Sequence, residues 1–341
     1  MADAAKAPKK EQLMAAIAPE VAKIEQAMRS DLEVTTRGID PLLTEVLEYG
    51  MFNGGKRLRP LLVVLAARLA GFAEEKKERI YKLAIAFEYL HCATLFHDDV
   101  IDRADMRRGK PSVNKSFGAI AAILGGDFLH SRSMFLIGSY GGTPALDIFC
   151  QATNAMVDGE FLQLRNTKNY NLSEQEYFLA VKGKTALLIA ATCEIGALAG
   201  GATAPQQQAL TEYGIGLGTA FQIVDDLLDY QGDTEQTGKA VGNDFKEGKM
   251  TLPLILALSS ADFEDKKRLL YLLENEDARE SGFAEAYGLI DKYDGFVLSR
   301  SRAESIVAEA VAGLEVFSVG DNGAILTVLH ALAKYVLVRP K

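Results

Sequence analysis

Tryptophan is absent from this 341-residue chain, and only three cysteines and four histidines are present. Cys92, Cys150 and Cys193 lie in apolar runs and lack the paired spacing of metal-binding cysteines. This usage predicts reduced thiols in the core of a cytoplasmic protein. Residues 1–10 contain no apolar segment of the kind found in secretory signals, so none is predicted.

Positive charge and long charge-free apolar runs are also scarce. Lysine and arginine total 37 against 46 acidic residues, and the net charge of −9 argues against a nucleic acid held by bulk charge. An anionic ligand would need a local basic cluster or a metal. The most apolar stretch, residues 185–204, contains Glu194 and several glycines, which favours a buried core helix over a membrane span.

Alternating strand patterns, Pro/Ser-rich linkers and fixed-period repeats are missing as well. Apolar residues instead recur at helical spacing from about Gln12 onward. We therefore predict a flexible tail over residues 1–10 and a single all-α domain over residues 11–341, a helical bundle around a deep central cavity. Within it, residues 117–141 are rich in Ala, Gly, Leu and Ile, which predicts a tightly packed internal helix.

Two acidic clusters stand inside apolar, helix-like segments. Asp98 and Asp102 are spaced so that a helix would present both on one face, and Asp225 and Asp229 repeat the pattern. Like charges at this spacing repel, and a hard divalent cation would compensate them. A solvated face is the alternative, but such a face would have polar neighbours. Because Mg²⁺ completes its shell with water and phosphates, the pattern predicts a phosphate substrate held through Mg²⁺.

A basic segment precedes the first acidic cluster. Gly54 and Gly55 allow a sharp turn, and Lys56 and Arg59 would share a face of a helix that begins there. A basic cluster at a helix start favours a diphosphate ligand. A solvated basic turn is the alternative.

Further cations follow the first acidic cluster and precede the most apolar helix. Arg107, Arg108 and Lys110 would be well placed if phosphates lay between them and a metal, and a solvated charged loop is the alternative. Lys184 and Thr185 stand at the start of the apolar stretch. The lysine could flank the helix or bind a phosphate on a buried wall.

Spacing alone does not decide the role of two features. His91 lies two turns before Asp98 on nearly the same face, and could donate to a phosphate or be a satisfied core histidine. Its single Glu-x-x-His pair makes a di-iron site improbable, because that site needs two such pairs. The loop at residues 237–249 carries Lys239 and Lys249 and could close over a diphosphate, although it lacks the Walker A order.

Taken in order, the motifs of residues 50–255 resemble those of the trans-isoprenyl diphosphate synthases. The matching segments are Gly-Gly-Lys-Arg-Leu-Arg-Pro (54–60), Asp-Asp-Val-Ile-Asp (98–102), Arg-Arg-Gly-Lys (107–110), Lys-Thr (184–185), Phe-Gln-Ile-Val-Asp-Asp-Leu-Leu-Asp (221–229) and Gly-Lys…Gly-Asn-Asp…Glu-Gly-Lys (238–249). Each motif is moderately specific, whereas the ordered set is strongly specific. Residues 91–114 and 218–253 are most similar to long-chain synthases of the octaprenyl type.

The resemblance implies roles that spacing left open. It implies Mg²⁺, three ions with substrate bound, and catalytic roles for Asp98, Asp102, Asp225 and Lys184. The implied metal ligands are Asp98, Asp102, Asp225 and Asp229. The implied allylic diphosphate ligands are Arg107, Lys184, Thr185, Gln222, Lys239 and Lys249. The implied isopentenyl diphosphate ligands are Lys56, Arg59, His91 and Arg108.

The implied reaction is the head-to-tail condensation of isopentenyl diphosphate onto an allylic prenyl diphosphate such as farnesyl diphosphate. Metal ions would act as Lewis acids toward the departing diphosphate, and the allylic cation would alkylate the isopentenyl double bond. The resemblance also implies a homodimer and a role in making isoprenoid quinone side chains. Neither a nucleic-acid partner nor a transmembrane span is expected.

Small residues before the first acidic cluster predict a long product. A helix rises about 5.4 Å per turn, close to one extended isoprene unit. Ala93 and Thr94 lie about one turn before Asp98, where short-chain members of the family often carry an aromatic residue. The tail could therefore extend toward Tyr89, and we expect an all-trans, octaprenyl-like product of about six to ten units. A farnesyl or geranylgeranyl diphosphate synthase is the alternative.

Two more alternatives are less compatible with the motifs. A class I terpene cyclase needs neither the second acidic motif nor the basic Gly-Gly-Lys segment, and without tryptophan little aromatic lining is left to stabilise cations. A non-catalytic subunit of a heteromeric synthase can lose its carboxylates, whereas this chain retains all six aspartates of the two motifs.

Overall fold

The computed structural model describes residues 10–73, 75, 77–170, 173–232, 241–318 and 322–338. Over these ranges the chain is helical apart from one short two-stranded ribbon and the connecting turns, which confirms the predicted all-α class. The first helix begins at Lys10, the last residue of the predicted tail. Residues 1–9 lie outside the described ranges, and the single-domain boundary stays a prediction.

The elements follow one another with short connections. The first half contains α1 (Lys10–Thr35), α2 (Pro41–Met51), α3 (Leu58–Leu69), α4 (Lys77–Ile101), β1 (Met106–Arg107), β2 (Lys110–Pro111), α5 (Val113–Phe117) and α6 (Ala119–Asn169). The middle contains α7 (Glu174–Val181), a π-helical turn (Lys182–Ala186), α8 (Leu187–Gly200) and α9 (Ala204–Gln231). The remainder contains α10 (Asn243–Lys246), α11 (Leu252–Ser260), α12 (Phe263–Glu274), α13 (Glu276–Ser281), α14 (Phe283–Lys292), α15 (Gly295–Ala312), a 3₁₀ turn (Gly313–Phe317) and α16 (Gly323–Val338).

Local sequence signals explain how several helices begin and bend. Asp40 caps α2, since its side chain accepts the Leu42 N–H at 2.8 Å, and Pro41 occupies the first helical position. α6 is interrupted at Gly142, where φ is +75°, two residues before Pro144. Proline lacks the N–H that a continuous helix needs, so α6 bends at this point.

The two helices that carry the acidic clusters, α4 and α9, both pack against α8. α8 packs between α3 and α9 and also contacts α4. The crossings are close because small residues form them. A Cβ on Gly196 would lie 2.5 Å from the Val63 carbonyl, and one on Gly214 would lie 2.5 Å from the Ala190 Cα. As a result α4 and α9, which carry the two clusters, border the same helix.

A buried ionic network ties α1 to α4 and α6. Asp31 is fully buried and accepts hydrogen bonds from Lys82 at 2.8 Å, from Arg132 at 2.7 and 3.1 Å and from Tyr89 at 3.1 Å. Burial alone would raise the pKa of Asp31, but Arg132 and Lys82 hold it below its usual value. The hydroxyl of Tyr89, a predicted chain-length residue, is therefore fixed by α1.

The prediction of an internal helix over residues 117–141 is wrong for the isolated chain. Ile120, Leu124 and Phe135 of α6 are 56–76% exposed. Among the described residues, one helical stretch, Ala119–Thr167, is long and apolar enough by composition to cross a membrane. An exposed apolar face is also typical of a protein–protein interface.

Candidate active site

The first acidic cluster lies at the C-terminal end of α4. Asp98 is in the last turn, and the Asp102 N–H donates to the Asp98 carbonyl at 2.8 Å although α4 ends at Ile101. The helical spacing of the two carboxylates is therefore preserved. Asp99 points into the protein, where it is 1% exposed and accepts a hydrogen bond from Arg107 at 2.6 Å.

The second acidic cluster lies near the end of α9, beside a cleft of about 200 Å³. Asp225 lines this cleft and is partly buried, whereas Asp226 and Asp229 are 5% and 8% exposed. Asp229 accepts the Asp244 N–H at 3.0 Å, and its carbonyl accepts the Gly242 N–H at 2.8 Å. Asp229 thus anchors the segment after residue 240 to α9, and its role as a metal ligand stays a prediction.

Lys184 lies on a turn that packs against α6 and α9. It belongs to the π-helical turn, and its Nζ is 2.6 Å from Glu160 and 2.7 Å from the Gln163 side-chain oxygen. α6 and the turn meet in backbone contact, since a Cβ on Gly159 would lie 2.3 Å from the Lys184 amide nitrogen. The side chain of Lys184 lines the same cleft as Asp225.

The charge of Lys184 also acts on Asp98. Asp98 is exposed at the surface, but the surrounding protein still desolvates it and raises its pKa to about 6. Lys184 and Arg107 lower this pKa, whereas repulsion from Asp102 and Glu160 raises it. Lys184 therefore lines the cleft with Asp225 and also influences the first cluster, whose carboxylates repel one another.

The carboxylates of the two clusters suit a hard cation that takes only some of its ligands from the protein. Asp98, Asp102 and Asp225 offer carboxylate oxygens, and no three acidic, histidine or cysteine side chains of the described ranges converge on one point. Mg²⁺ characteristically takes one or two carboxylates and fills its octahedral shell with water and phosphate oxygens. A cation would also relieve the repulsion around Asp98. The residues therefore fit Mg²⁺ bound together with a phosphate ligand.

A separate basic pocket lies beside α4. Burial, and then the charges of Arg59, Arg108 and Arg107, hold the pKa of His91 well below 6.5. The Arg59 Nε is buried and has no hydrogen-bond partner within the described part of the chain. Burial lowers the pKa of Arg59, and the charge of Arg108 lowers it further. A buried guanidinium with an unused donor, next to other cations, suits an anion with several oxygens.

One part of the predicted basic face is wrong. α3 begins at Leu58, so Lys56 precedes the helix and does not share a helical face with Arg59. The Lys56 ammonium instead lies 5.1 Å from the centre of the Tyr335 ring. The proposed contact of Lys56 with isopentenyl diphosphate stays a prediction.

The glycine-containing loop before α3 holds Arg108 at the basic pocket. Gly55 has a φ of +136°, and a Cβ at this position would lie 2.9 Å from Arg108 Nη1. The Arg108 side chain donates to the Gly54 carbonyl. Arg57 ends the loop in the left-handed region, is buried, and pairs with Glu88 at 2.7 Å, so this arginine is structural.

The remaining predicted allylic ligands border the cleft or its rim. Thr185 donates to Gln222 at 3.1 Å, and Gln222 lines the cleft. Lys249 also lines it and pairs with Asp244 at 3.0 Å. Burial alone would lower the pKa of Lys249, but its acidic partners raise it above the usual value. Lys239 lies outside the described residues.

The predicted chain-length residues lie along α4 toward the core. Ala93 is buried, and Thr94 is partly buried and donates to the His91 carbonyl at 2.8 Å. Nearly two turns farther into the bundle, Phe87 packs edge-on against Phe149 of α6 with ring centroids 5.4 Å apart. Both rings are fully buried, so this pair is an aromatic obstacle deeper in the bundle than Tyr89.

The all-helical bundle, with acidic clusters on α4 and α9, a cleft beside the second cluster and a basic group beside α4, has the features of an isoprenoid synthase fold. A family model described as polyprenyl synthetase matches residues 40–290. Octaprenyl diphosphate synthase of Escherichia coli is 38% identical over 275 residues, which are 81% of this chain and 84% of that protein. The chain belongs to the polyprenyl synthetase family.

Two solved structures match nearly the whole chain. Polyprenyl synthase from Caulobacter crescentus, complexed with calcium and isoprenyl diphosphate, is 34% identical with a TM-score of 0.85, covering 98% of this chain and 99% of that one. A decaprenyl diphosphate synthase from Rhodobacter capsulatus is 35% identical with a TM-score of 0.86, covering 97% and 99%. These matches confirm the predicted family and the prenyltransferase class.

Proposed function

We propose that this protein condenses isopentenyl diphosphate head to tail onto an allylic prenyl diphosphate and releases a long-chain all-trans product. The observation that carries the proposal is the position of Lys184, which lines the cleft with Asp225 and whose charge also acts on Asp98. In the proposal, both acidic clusters therefore serve one ligand beside Lys184. The basic group around Arg59 and His91 does not line this cleft, so it would serve as the anion site for the second diphosphate substrate.

The allylic diphosphate would occupy the cleft. In the proposal, three Mg²⁺ ions would be held by Asp98, Asp102, Asp225 and Asp229. When bound, Mg²⁺ would supply Lewis-acid stabilisation of the departing diphosphate. Lys184 and Lys249 line the cleft and would bind the non-bridging oxygens, while the apolar core excludes water from the prenyl tail.

The second substrate would bind in the basic pocket. Arg59 and Arg108 would bind its diphosphate, and neutral His91 would donate one hydrogen bond. The allylic C–O bond breaks, the allylic carbon bonds to the terminal carbon of isopentenyl diphosphate, and the resulting cation loses a proton. The departing diphosphate is a suitable proton acceptor. No protein nucleophile is required.

The product is proposed to be octaprenyl-like and to serve isoprenoid quinone side chains, in a cytoplasmic enzyme. Ala93 and Thr94 leave room for a tail where an aromatic residue would block it. The relatives named octaprenyl and decaprenyl diphosphate synthase support a long product.

The experiment that tests the function incubates the purified chain with farnesyl diphosphate, radiolabelled isopentenyl diphosphate and Mg²⁺. We expect long-chain products on reversed-phase chromatography and none without metal or without isopentenyl diphosphate. Consumption of farnesyl diphosphate alone would indicate a terpene cyclase. No turnover by the single chain would indicate a non-catalytic subunit.

Replacing Arg108 with glutamine is expected to raise the KM for isopentenyl diphosphate by about tenfold to a hundredfold, because a charge-assisted hydrogen bond to phosphate is lost. The KM for farnesyl diphosphate should not change, since Arg108 belongs to the basic pocket. Steady-state kinetics with each substrate varied in turn measures both values. Lys115→Gln, at an exposed lysine that pairs with Asp105, is the control. Equal increases in both KM values would contradict the assignment.

The apolar face of α6 supports a homodimer. The exposed residues fall on one side of the helix and are 38–76% accessible: Ile120, Ile123, Leu124, Met134 and Phe135. Exposed apolar clusters of this kind mark interaction surfaces.

Replacing Leu124 with glutamate is therefore expected to convert a dimer to a monomer, because a charge would be buried at the interface without a partner. Sedimentation velocity measures the change. Val297→Glu, at an exposed apolar position on α15, should leave the dimer intact. A wild-type chain that sediments as a monomer would remove the proposal.

A further inference from the structure

Tyr177 on α7 contributes the only aromatic hydroxyl among the cleft-lining residues of the described chain. Its side chain is buried, with 6% of its surface exposed, and the hydroxyl donates to Asp226 Oδ2 at 2.7 Å. The ring also packs edge-on against Phe178, with centroids 5.4 Å apart. The ring is therefore fixed by packing, and the hydroxyl has a defined acceptor.

The hydrogen bond begins a chain that reaches the predicted diphosphate ligands. The other oxygen of Asp226 accepts Gln222 Nε2 at 2.9 Å. The Gln222 Oε1 in turn accepts the Thr185 hydroxyl at 3.1 Å. Four side chains on α7, α9 and the π-helical turn are thus linked in series, from Tyr177 to Thr185.

This series fixes the orientation of Gln222. An amide can rotate so that its nitrogen and oxygen exchange places, but here each end has a distinct partner. Asp226 lines the cleft, but each of its oxygens accepts a hydrogen bond, so neither can turn toward a ligand without leaving a buried donor unpaired. Loss of the Tyr177 hydroxyl would free one oxygen of a carboxylate that directly follows the predicted metal ligand Asp225.

We propose that Tyr177 is a positioning residue for the allylic diphosphate site: through Asp226 it fixes Gln222 and Thr185, and it keeps both Asp226 oxygens hydrogen-bonded beside the predicted metal ligand Asp225. The inference rests on the proposed function, because the ligand of this cleft is the allylic diphosphate. It adds a residue that no motif of the sequence indicates.

A matched control exists on α9. Tyr213 is fully buried, and its hydroxyl donates to the Leu329 carbonyl at 2.7 Å. Tyr213 does not line the cleft. Tyr177→Phe and Tyr213→Phe therefore remove the same group and a hydrogen bond of the same length, one at the cleft and one away from it.

The experiment compares the two variants with the wild-type chain. Tyr177→Phe is expected to raise the KM for farnesyl diphosphate about tenfold, because a buried hydrogen bond in the series that orients Gln222 is lost. It should also raise the Mg²⁺ concentration at half-maximal rate and leave the KM for isopentenyl diphosphate unchanged. Calorimetry with inorganic pyrophosphate and Mg²⁺ should show affinity reduced about tenfold, independently of turnover.

Tyr213→Phe should lower the thermal midpoint without changing either KM or pyrophosphate affinity. The inference is overturned if the two variants behave alike, or if Tyr177→Phe raises both KM values equally. An inactive wild-type chain would instead overturn the proposed function. A wild-type chain that is active, together with an unchanged Tyr177→Phe variant, overturns the positioning role alone.

Discussion

Replacing Asp98 with asparagine is expected to reduce kcat with farnesyl diphosphate by about a thousandfold. Lewis-acid stabilisation of a leaving group is worth several kcal/mol, and each ~1.4 kcal/mol changes the rate tenfold. Asparagine keeps the shape of the side chain but removes the anionic ligand. Because Asp98 is desolvated and repelled by Asp102, removing its charge should not destabilise the fold. Single-turnover kinetics and thermal melting measure the two effects.

Two further variants separate the loss of a metal ligand from the loss of one negative charge. Asp105→Asn removes an exposed carboxylate that follows α4 and pairs with Lys115 of α5. Activity should be retained in this variant. Asp225→Asn on the facing helix should reproduce the effect of Asp98→Asn. Full activity in Asp98→Asn would rule out a metal role for the first cluster.

The second large effect concerns product length. Ala93→Phe is expected to shorten the product to about three or four isoprene units, because a ring one turn before Asp98 would close the path of the tail. Reversed-phase chromatography of dephosphorylated products measures the chain length. An unchanged product distribution would contradict the path along α4.

A substitution deeper in the bundle should have the opposite effect on product length. Phe149→Ala would open the Phe87–Phe149 contact and is expected to lengthen the product beyond that of the wild-type chain. Phe317→Ala truncates an equally buried aromatic ring in the 3₁₀ turn and should leave the length unchanged. The same change in product length in both variants would indicate loosened packing rather than an extended path for the tail.

Features set by local spacing could be predicted from the sequence. The helical class follows from apolar periodicity, and the Asp98 and Asp102 carboxylates keep their one-turn separation beyond the last helical residue. Spacing alone does not connect Lys184 with the two acidic clusters. The family resemblance implies that connection, because contacts between distant segments leave no local pattern.

Other features needed the folded chain. The start of α3 at Leu58 separates Lys56 from Arg59, a boundary that a run of cations does not define. Glu160 and Tyr177 matter only through their partners on other elements. Composition alone also misplaced residues 117–141, because an apolar helix face at an interface has the same residues as one in a core.

The most direct test is a crystal structure with Mn²⁺ in place of Mg²⁺ and an unreactive thio analogue of farnesyl diphosphate. Anomalous scattering locates the metal without reference to the protein density. The account predicts metal at Asp98 and Asp102 and at Asp225, with the analogue's diphosphate bridging the two helices beside Lys184. A diphosphate held by one helix alone, or metal bound elsewhere on the chain, would contradict it.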